Sequence, residues 1–290
     1  MGNYITEARV DKERLWTYPY NELKLWTRIW DDAMKRLQSF RRYEQSPTLN
    51  LAFKRYKDLL LADLNGALEM RQRAEENIAR LVEELPEWQN WAKSVPAVGV
   101  QLFGRLIGYI GNPAARLYPS CLARHCGVAP NPKTGRIEKP QAGQVRPYNP
   151  KAKATLYLII TQSLKLYSRS PNLYAEIYAT YKERYAQLHP DWTKMHTHLA
   201  AIIKAANFFV THLWEVSRKA QGLPTVEIYP IEHLGHKTKI PPEMAVHPRK
   251  CNSTVLAAIR DVEQLLKEEE DQKVLETVSQ IIEKMKQHTI

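Results

Sequence analysis

Residues 94–113 read SVPAVGVQLFGRLIGYIGNP, and this stretch decides the fold that we predict for the chain. Pro96 is able to start a helix, because its missing N–H would have no partner there. Gly99 suits a tight turn that needs a positive φ. Leucine or isoleucine then recurs at positions 102, 106 and 110, a spacing typical of the buried face of a helix. The stretch therefore predicts two short helices joined by a glycine turn, a helix-hairpin-helix-like element.

A turn of this kind directs free backbone N–H groups outward at the positive end of the helix dipole, where they attract phosphate. Val98 and Gly99 are therefore predicted to hold a nucleic-acid backbone without reading its sequence. The same residues also fit a hairpin with only a packing role. The hairpin by itself does not decide between the two interpretations.

The next segment, NPKTGRIEKPQAGQVRPYNPKAKA at residues 131–154, favours the nucleic-acid interpretation. Four prolines and two glycines between positions 132 and 153 predict a loop rather than a helix. Glu138 is the acid of this loop, and its basic residues are Lys133, Arg136, Lys139, Arg146, Lys151 and Lys153. A basic loop beside such a hairpin predicts a nucleic-acid surface. A merely solvated surface loop is the alternative.

Composition points to the same kind of partner. The chain has 290 residues, 44% of them hydrophobic, and a net charge of +11, which favours a globular protein with a polyanionic ligand. Residues 253–290 hold five Lys or Arg and eight Asp or Glu, so residues 1–252 carry +14. Three cysteines indicate a reducing compartment, and no apolar run reaches the length of a membrane span. A cytoplasmic location is therefore expected.

The helical patterns predict a mainly α-helical protein in five segments. These are an N-terminal aromatic and basic helix (1–47), a long coiled-coil-like helix (48–90), a central helical domain with the hairpin (91–222), a proline-rich linker (223–252) and an acidic helical module (253–290). Apolar residues of the long helix alternate in steps of three and four between positions 61 and 85. The partner of this seam is either a second copy, which would give a homodimer through residues 57–85, or another helix of the same chain.

The motifs VPAVG, GYIGNP and LARHCGVAP, the basic loop and YNPKAKATLYLI occur in an order that resembles the C-terminal domain of the insertion-sequence one-ten family of transposases. The resemblance spans about residues 91–224. Members of that family are bridge-RNA-guided recombinases of bacterial and archaeal mobile elements, in which a coiled coil pairs subunits. The resemblance therefore favours a homodimer through residues 57–85. The resemblance implies a prokaryotic, nucleoid-associated protein of DNA transposition and recombination, with DNA as its partner and a structured RNA as an alternative partner.

Two departures from the family pattern concern catalysis. The family's catalytic serine precedes a glycine just after the GLAP-like motif, and the equivalent residue here is Thr134, beside Gly135. Threonine can serve as a nucleophile. The family's N-terminal nuclease-like domain, with its four metal-binding acids, has no counterpart in the pattern before residue 91.

We therefore expect a DNA-binding protein that lacks the full catalytic machinery. No cofactor is predicted, and Mg²⁺ is expected only if a partner supplies the nuclease-like domain. One alternative is an active recombinase that uses Thr134 with acids from another subunit. A second alternative is a non-catalytic assembly protein. No metal site is predicted either, since hydrogen-bonded or surface side chains account more simply for His233, His236, His247 and Cys251 in the proline-rich segment.

Overall fold

In the computed structural model of this protein, the described residues are 10–130, 137, 140–226 and 239–246. Within these ranges the chain forms ten α-helices and no β-strand, which confirms the predicted mainly α-helical class. In chain order the helices are α1 (Lys12–Leu15), α2 (Tyr20–Gln45), α3 (Asn50–Arg55), α4 (Lys57–Glu83), α5 (Pro86–Asn90), α6 (Val100–Ile110), α7 (Pro119–His125), α8 (Pro150–Leu166), α9 (Leu173–Leu188) and α10 (Lys194–Ala220).

The long helices α2 and α4 form an antiparallel hairpin within the chain. Their middles meet where the Trp30 indole donates a hydrogen bond to Glu75 at 3.1 Å. The second half of the coiled-coil-like seam is buried inside the protein through Ile78, Val82 and Leu85. Leu61 and Leu68, in the first half, are exposed. The partner of the seam's second half is thus this chain itself, and a homodimer through α4 stays a prediction.

The long helix expected over residues 48–90 is divided into α3, α4 and the short α5. Tyr56 ends α3, and α4 begins at the next residue. The short α3 folds back toward the end of α2, where the Phe53 ring lies 6.4 Å from that of Phe40. Contact with α2 therefore breaks a segment whose local pattern favours one continuous helix.

Two glycines let α6 pack closely between the two long helices. A Cβ added to Gly104 would lie 2.7 Å from the Val82 side chain, and one added to Gly108 would lie 2.8 Å from the backbone oxygen of Leu23. Real Cβ atoms do not approach other atoms this closely. The sequence GRLIG therefore fixes how the predicted hairpin element docks on α2 and α4.

The core of the second half is built around α10, which packs against α5, α7, α8 and α9. Phe209, Leu213 and Trp214 are fully buried along it. By length and composition, α10 is apolar enough to cross a membrane, but most of its apolar stretch is buried inside the protein. Its hydrophobicity is what a helix surrounded by other helices requires.

Part of the proline-rich segment is docked on this core rather than extended into solvent. The Trp91 indole donates to the Pro242 carbonyl at 2.9 Å, and His212 Nε2 lies 2.9 Å from the Ile240 carbonyl. Burial lowers the pKa of His212 to about 4, so its ring is neutral at pH 7. Since a carbonyl can only accept, Nε2 carries the proton, and Nδ1 accepts from the Tyr174 hydroxyl at 2.9 Å.

Candidate nucleic-acid interface

The positive charge of the protein is concentrated in one part of the sequence. Between residues 88 and 175 the acid is Glu138 alone. The same range contains twelve basic residues: Lys93, Arg105, Arg116, Arg124, Lys133, Arg136, Lys139, Arg146, Lys151, Lys153, Lys165 and Arg169. This charge separation extends well beyond the loop at 132–153. Some of these twelve cations contact other parts of the protein and stabilise its fold, whereas others are exposed and available to a ligand.

Several of these cations are engaged inside the protein. The Arg105 guanidinium stacks on the Trp30 ring at 4.0 Å, and Arg116 is buried and donates to the Ile110 carbonyl at 2.9 Å. Lys93 lies 4.0 Å from Glu83 on the surface. These side chains therefore hold helices together or already have a partner.

The turn before α6 differs from the expectation. Pro96 lies in the turn and α6 begins only at Val100. Gly99 adopts an extended conformation with φ −85°, and the left-handed residue is Ala97, with φ +71°. The predicted positive φ at Gly99 was therefore wrong. The tight reversal occurs two residues earlier, between the buried side chains of Val95 and Val98.

Gly99 still occupies the position from which a phosphate contact was predicted. It is the exposed N-cap residue of α6 and provides no side-chain cap. No atom lies within 4 Å of a Cβ built on it, so the space beside the helix start is open. Val98 is buried, which leaves only its backbone for such a contact.

The basic loop returns to the fold through Asn149. Its backbone N–H donates to the His125 carbonyl at 2.8 Å, and its side-chain amide donates to the Tyr109 carbonyl at 3.1 Å. Its Oδ1 caps α8 by accepting from the backbone of Lys151 and Ala152. The loop therefore returns at the C-terminal end of α6. Because α6 has 11 residues, about 16 Å separates this place from the predicted phosphate contact at its N-terminus.

Lys151, one of the predicted binding residues, is joined to the N-terminal hairpin. Its Nζ lies 2.5 Å from Asp31 Oδ2, and the Tyr109 hydroxyl donates to the other oxygen of the same carboxylate at 2.8 Å. Asp31 is largely buried, whereas half of the Lys151 side chain is exposed. This contact ties α2, α6 and α8 together, so the ammonium already has a partner.

Beside Lys151 lies an open pocket of about 450 Å³, lined by His125, Arg146, Pro147, Tyr148, Asn149, Pro150 and Lys151. Burial, and then the charge of Arg116, lowers the pKa of His125 to about 4. The ring is therefore neutral at pH 7, and its Nε2 has no hydrogen-bond partner among the described residues. Arg146 is exposed at the edge of this pocket.

The aliphatic part of the Lys153 side chain packs beside Gly127. Gly127 has φ +68°, and a Cβ there would lie 2.7 Å from the Tyr148 ring and 3.2 Å from Lys153 Cδ. The Lys153 ammonium lies 4.6 Å above the centre of the Tyr148 ring. Burial lowers the pKa of this ammonium, which nevertheless keeps part of its surface exposed.

The exposed side of α8 continues the positive surface away from the pocket. Tyr157 and Leu158 are exposed there, followed by Lys165 and, just after the helix, Arg169. In the part of the chain that the structure describes, Arg146, Lys165 and Arg169 form no ion pair. We call these three cations together with Tyr157 the basic face of α8.

Four of the predicted residues lie outside the described residues. They are Lys133, Arg136, Lys139 and the candidate nucleophile Thr134. The histidines at 233, 236 and 247 and Cys251 also lie outside. Over residues 10–130, 140–226 and 239–246, no group of three or more His, Cys, Asp or Glu side chains could hold a metal ion.

Neither a protein-family model nor a curated protein sequence matches this chain. The resemblance to transposases stays a prediction from the motifs. The residues predicted from the sequence did not include the exposed cations Lys165 and Arg169. The signal that could have found them is the near absence of acids from 88 to 175, which continues past the loop into α8.

Proposed function

We propose that this chain binds nucleic acid through the basic face of α8 and the adjoining loop, as a transposase-like DNA-binding protein of a mobile-element lineage. The observation that carries the proposal is a set of exposed cations at the edge of the pocket and along α8 that form no ion pair within the described ranges. Exposed cations in an acid-poor surface attract a polyanion and release its counterions on binding. The charge of the chain favours DNA or RNA over a neutral ligand.

Each part of the surface has a distinct role in this proposal. Arg146, Lys165 and Arg169 contact phosphates, and Tyr157 packs against sugars or unstacked bases. Lys151 positions the start of α8 through Asp31 rather than contacting the ligand. DNA in the cytoplasm of a prokaryotic cell is the proposed partner, and a structured RNA is the alternative. Sequencing the nucleic acid that copurifies with the protein distinguishes the two.

The test is the salt dependence of duplex DNA binding, measured by fluorescence anisotropy. The triple variant Arg146→Ala, Lys165→Ala, Arg169→Ala removes three exposed charges that form no ion pair with the residues described by the structure. The slope of log K against log salt is negative, and each lost phosphate contact reduces its magnitude by about 0.9, so the slope should become less steep by about 3.

The matched control removes the same charge from the far tip of the α2–α4 hairpin, with Lys54→Ala, Arg55→Ala and Lys57→Ala. These side chains are exposed and lie far along the sequence from the basic face. We expect the control to leave the slope of the wild type unchanged. Equal slopes for the two triple variants would show that binding depends on net charge alone and would refute the assignment to α8.

A further inference from the structure

A second group of cations lies between α9 and α10, outside the surface described above. Lys204 lies on α10 with its ammonium 4.9 Å from the centre of the Tyr181 ring and 5.5 Å from that of Phe208. These two rings lie 6.2 Å apart and form an aromatic wall beside the ammonium. Part of the Lys204 side chain still reaches solvent.

A second positive charge, that of Arg184, acts on Lys204 among the described residues. Burial, and then the neighbouring charge of Arg184 on α9, lowers the pKa of Lys204 to about 8. Neither Lys204 nor Arg184 forms an ion pair with any residue that the structure describes. Arg184 follows Tyr181 by one turn of α9, so it lies on the side of that helix whose Tyr181 ring contacts Lys204. An anion bound beside both cations would offset their mutual repulsion. The aromatic wall offsets part of this cost through cation–π attraction.

The position of the group relates it to the basic loop. One turn further along α10, the Asn207 amide donates to the Val128 carbonyl at 3.1 Å. Val128 is followed by Ala129 and Pro130, after which the chain enters the segment that contains Lys133 and Arg136. Lys204 therefore lies about one helical turn from the point where the basic loop leaves the fold, whereas Arg146 and Lys153 lie where it returns.

We propose that Lys204 and Arg184 form a phosphate-binding subsite that extends the nucleic-acid surface past the start of the basic loop onto α9 and α10. This inference rests on the proposed function, because the phosphate is taken to belong to a nucleic-acid backbone. The subsite recognises a phosphate group through two positive charges, and the aromatic wall keeps Lys204 in place. Free inorganic phosphate has the same chemistry, so the test separates the two sources.

The experiment uses the full chain and a short duplex DNA of random sequence. Lys204→Met keeps the apolar stem against the rings and removes the charge, and Arg184→Met removes the second charge. Lys182→Met is the control. Lys182 is an exposed lysine on α9, the helix of Arg184, and its ammonium lies 5.5 Å from the centre of the Tyr178 ring. We expect Lys204→Met and Arg184→Met each to reduce the magnitude of the slope of log K against log salt by about 0.9. Lys182→Met should leave this slope unchanged.

A second measurement separates binding from a structural role. Acetylation of Lys204, followed by mass spectrometry, should slow severalfold when DNA is added but not when inorganic phosphate is added at the same phosphate concentration. Lys204→Met should melt at the same temperature as the wild type or higher, because it keeps the apolar stem against the two rings and removes a crowded charge that forms no ion pair with the described residues.

The outcomes are distinct. If the wild type binds DNA and all three variants keep its slope, the subsite is refuted while the proposed function stands. If the wild type binds no DNA, both are refuted. Equal protection of Lys204 by inorganic phosphate would assign the site to a small anion and overturn the nucleic-acid source. A lower melting temperature of Lys204→Met with an unchanged slope would show a structural role only.

Discussion

Replacing Glu87 by glutamine should stabilise the protein in a way that depends on pH. Glu87 is fully buried at the start of α5, where one carboxylate oxygen accepts from the Tyr20 hydroxyl at 3.2 Å and the other has no partner among the described residues. Burial raises the pKa of this carboxyl from 4.5 to about 7, which the hydrogen bonds from its own backbone and from Tyr20 only partly oppose. At pH 8 the folded protein therefore holds a buried charge that the unfolded chain exposes to water.

The size of the effect follows from the two pKa values. A tenfold difference in proton affinity is worth about 1.4 kcal/mol, so ionising Glu87 lowers the free energy of unfolding by about 3 kcal/mol. Between pH 4.5 and 7 the folded state binds more protons than the unfolded state, so this group favours folding at low pH and loses that contribution as pH rises. Glutamine has no charge to bury, so Glu87→Gln should remove this pH-dependent loss.

The assay is urea denaturation of wild type and Glu87→Gln at pH 4.5, 6, 7 and 8. The stability of the variant relative to the wild type should increase by about 3 kcal/mol from the lowest pH to the highest. Burial of the new amide group costs the same at every pH, so the trend is the test rather than any single value. Glu76→Gln, an exposed glutamate on α4, is the control and should give a flat difference. A flat difference for Glu87→Gln as well would refute the reasoning.

Two further predictions concern contacts between helices, and both are tested by chemical denaturation. Gly108→Ala should lower the free energy of unfolding by about 1–3 kcal/mol, because its Cβ would meet the Leu23 carbonyl oxygen at 2.8 Å. Gly66→Ala, on α4 with no atom within 4 Å of the added Cβ, should instead raise it by up to about 1 kcal/mol, and equal effects of the two would contradict the close approach of α6. Asp31→Ala should cost about 1–2 kcal/mol, since it leaves Lys151 and the Tyr109 hydroxyl without their shared acceptor; the value is kept low because half of the Lys151 side chain is exposed. The neighbouring Asp32→Ala removes only a surface pair with Lys35 and should change stability by less than about 0.5 kcal/mol, so a similar loss in both variants would argue against a tie between α2 and α8.

Short-range features were predictable from the sequence because adjacent residues determine them. Apolar spacing of three to four residues gave the helical class and the long helices. Asn149 and Pro150 mark the start of α8 as cap and first helical residue, and Gly222, with φ +66°, follows the end of α10. The basic loop was predicted from its prolines, glycines and charge, whereas Lys165 and Arg169 beyond it were not included.

The sequence by itself determined a helical protein whose positive charge is concentrated in one long acid-poor segment, since composition and periodicity need no knowledge of the fold. Only the tertiary structure decided which of those cations are available. Lys151 finds its partner 120 residues away in Asp31, and Arg105 stacks on Trp30. The tertiary structure also put the positive φ at Ala97 rather than Gly99. It buried the second half of the coiled-coil-like seam within the chain, where Ile78 and Val82 face Gly104 of α6. These outcomes depend on how helices distant in sequence pack, and such packing brings together groups that no local pattern relates.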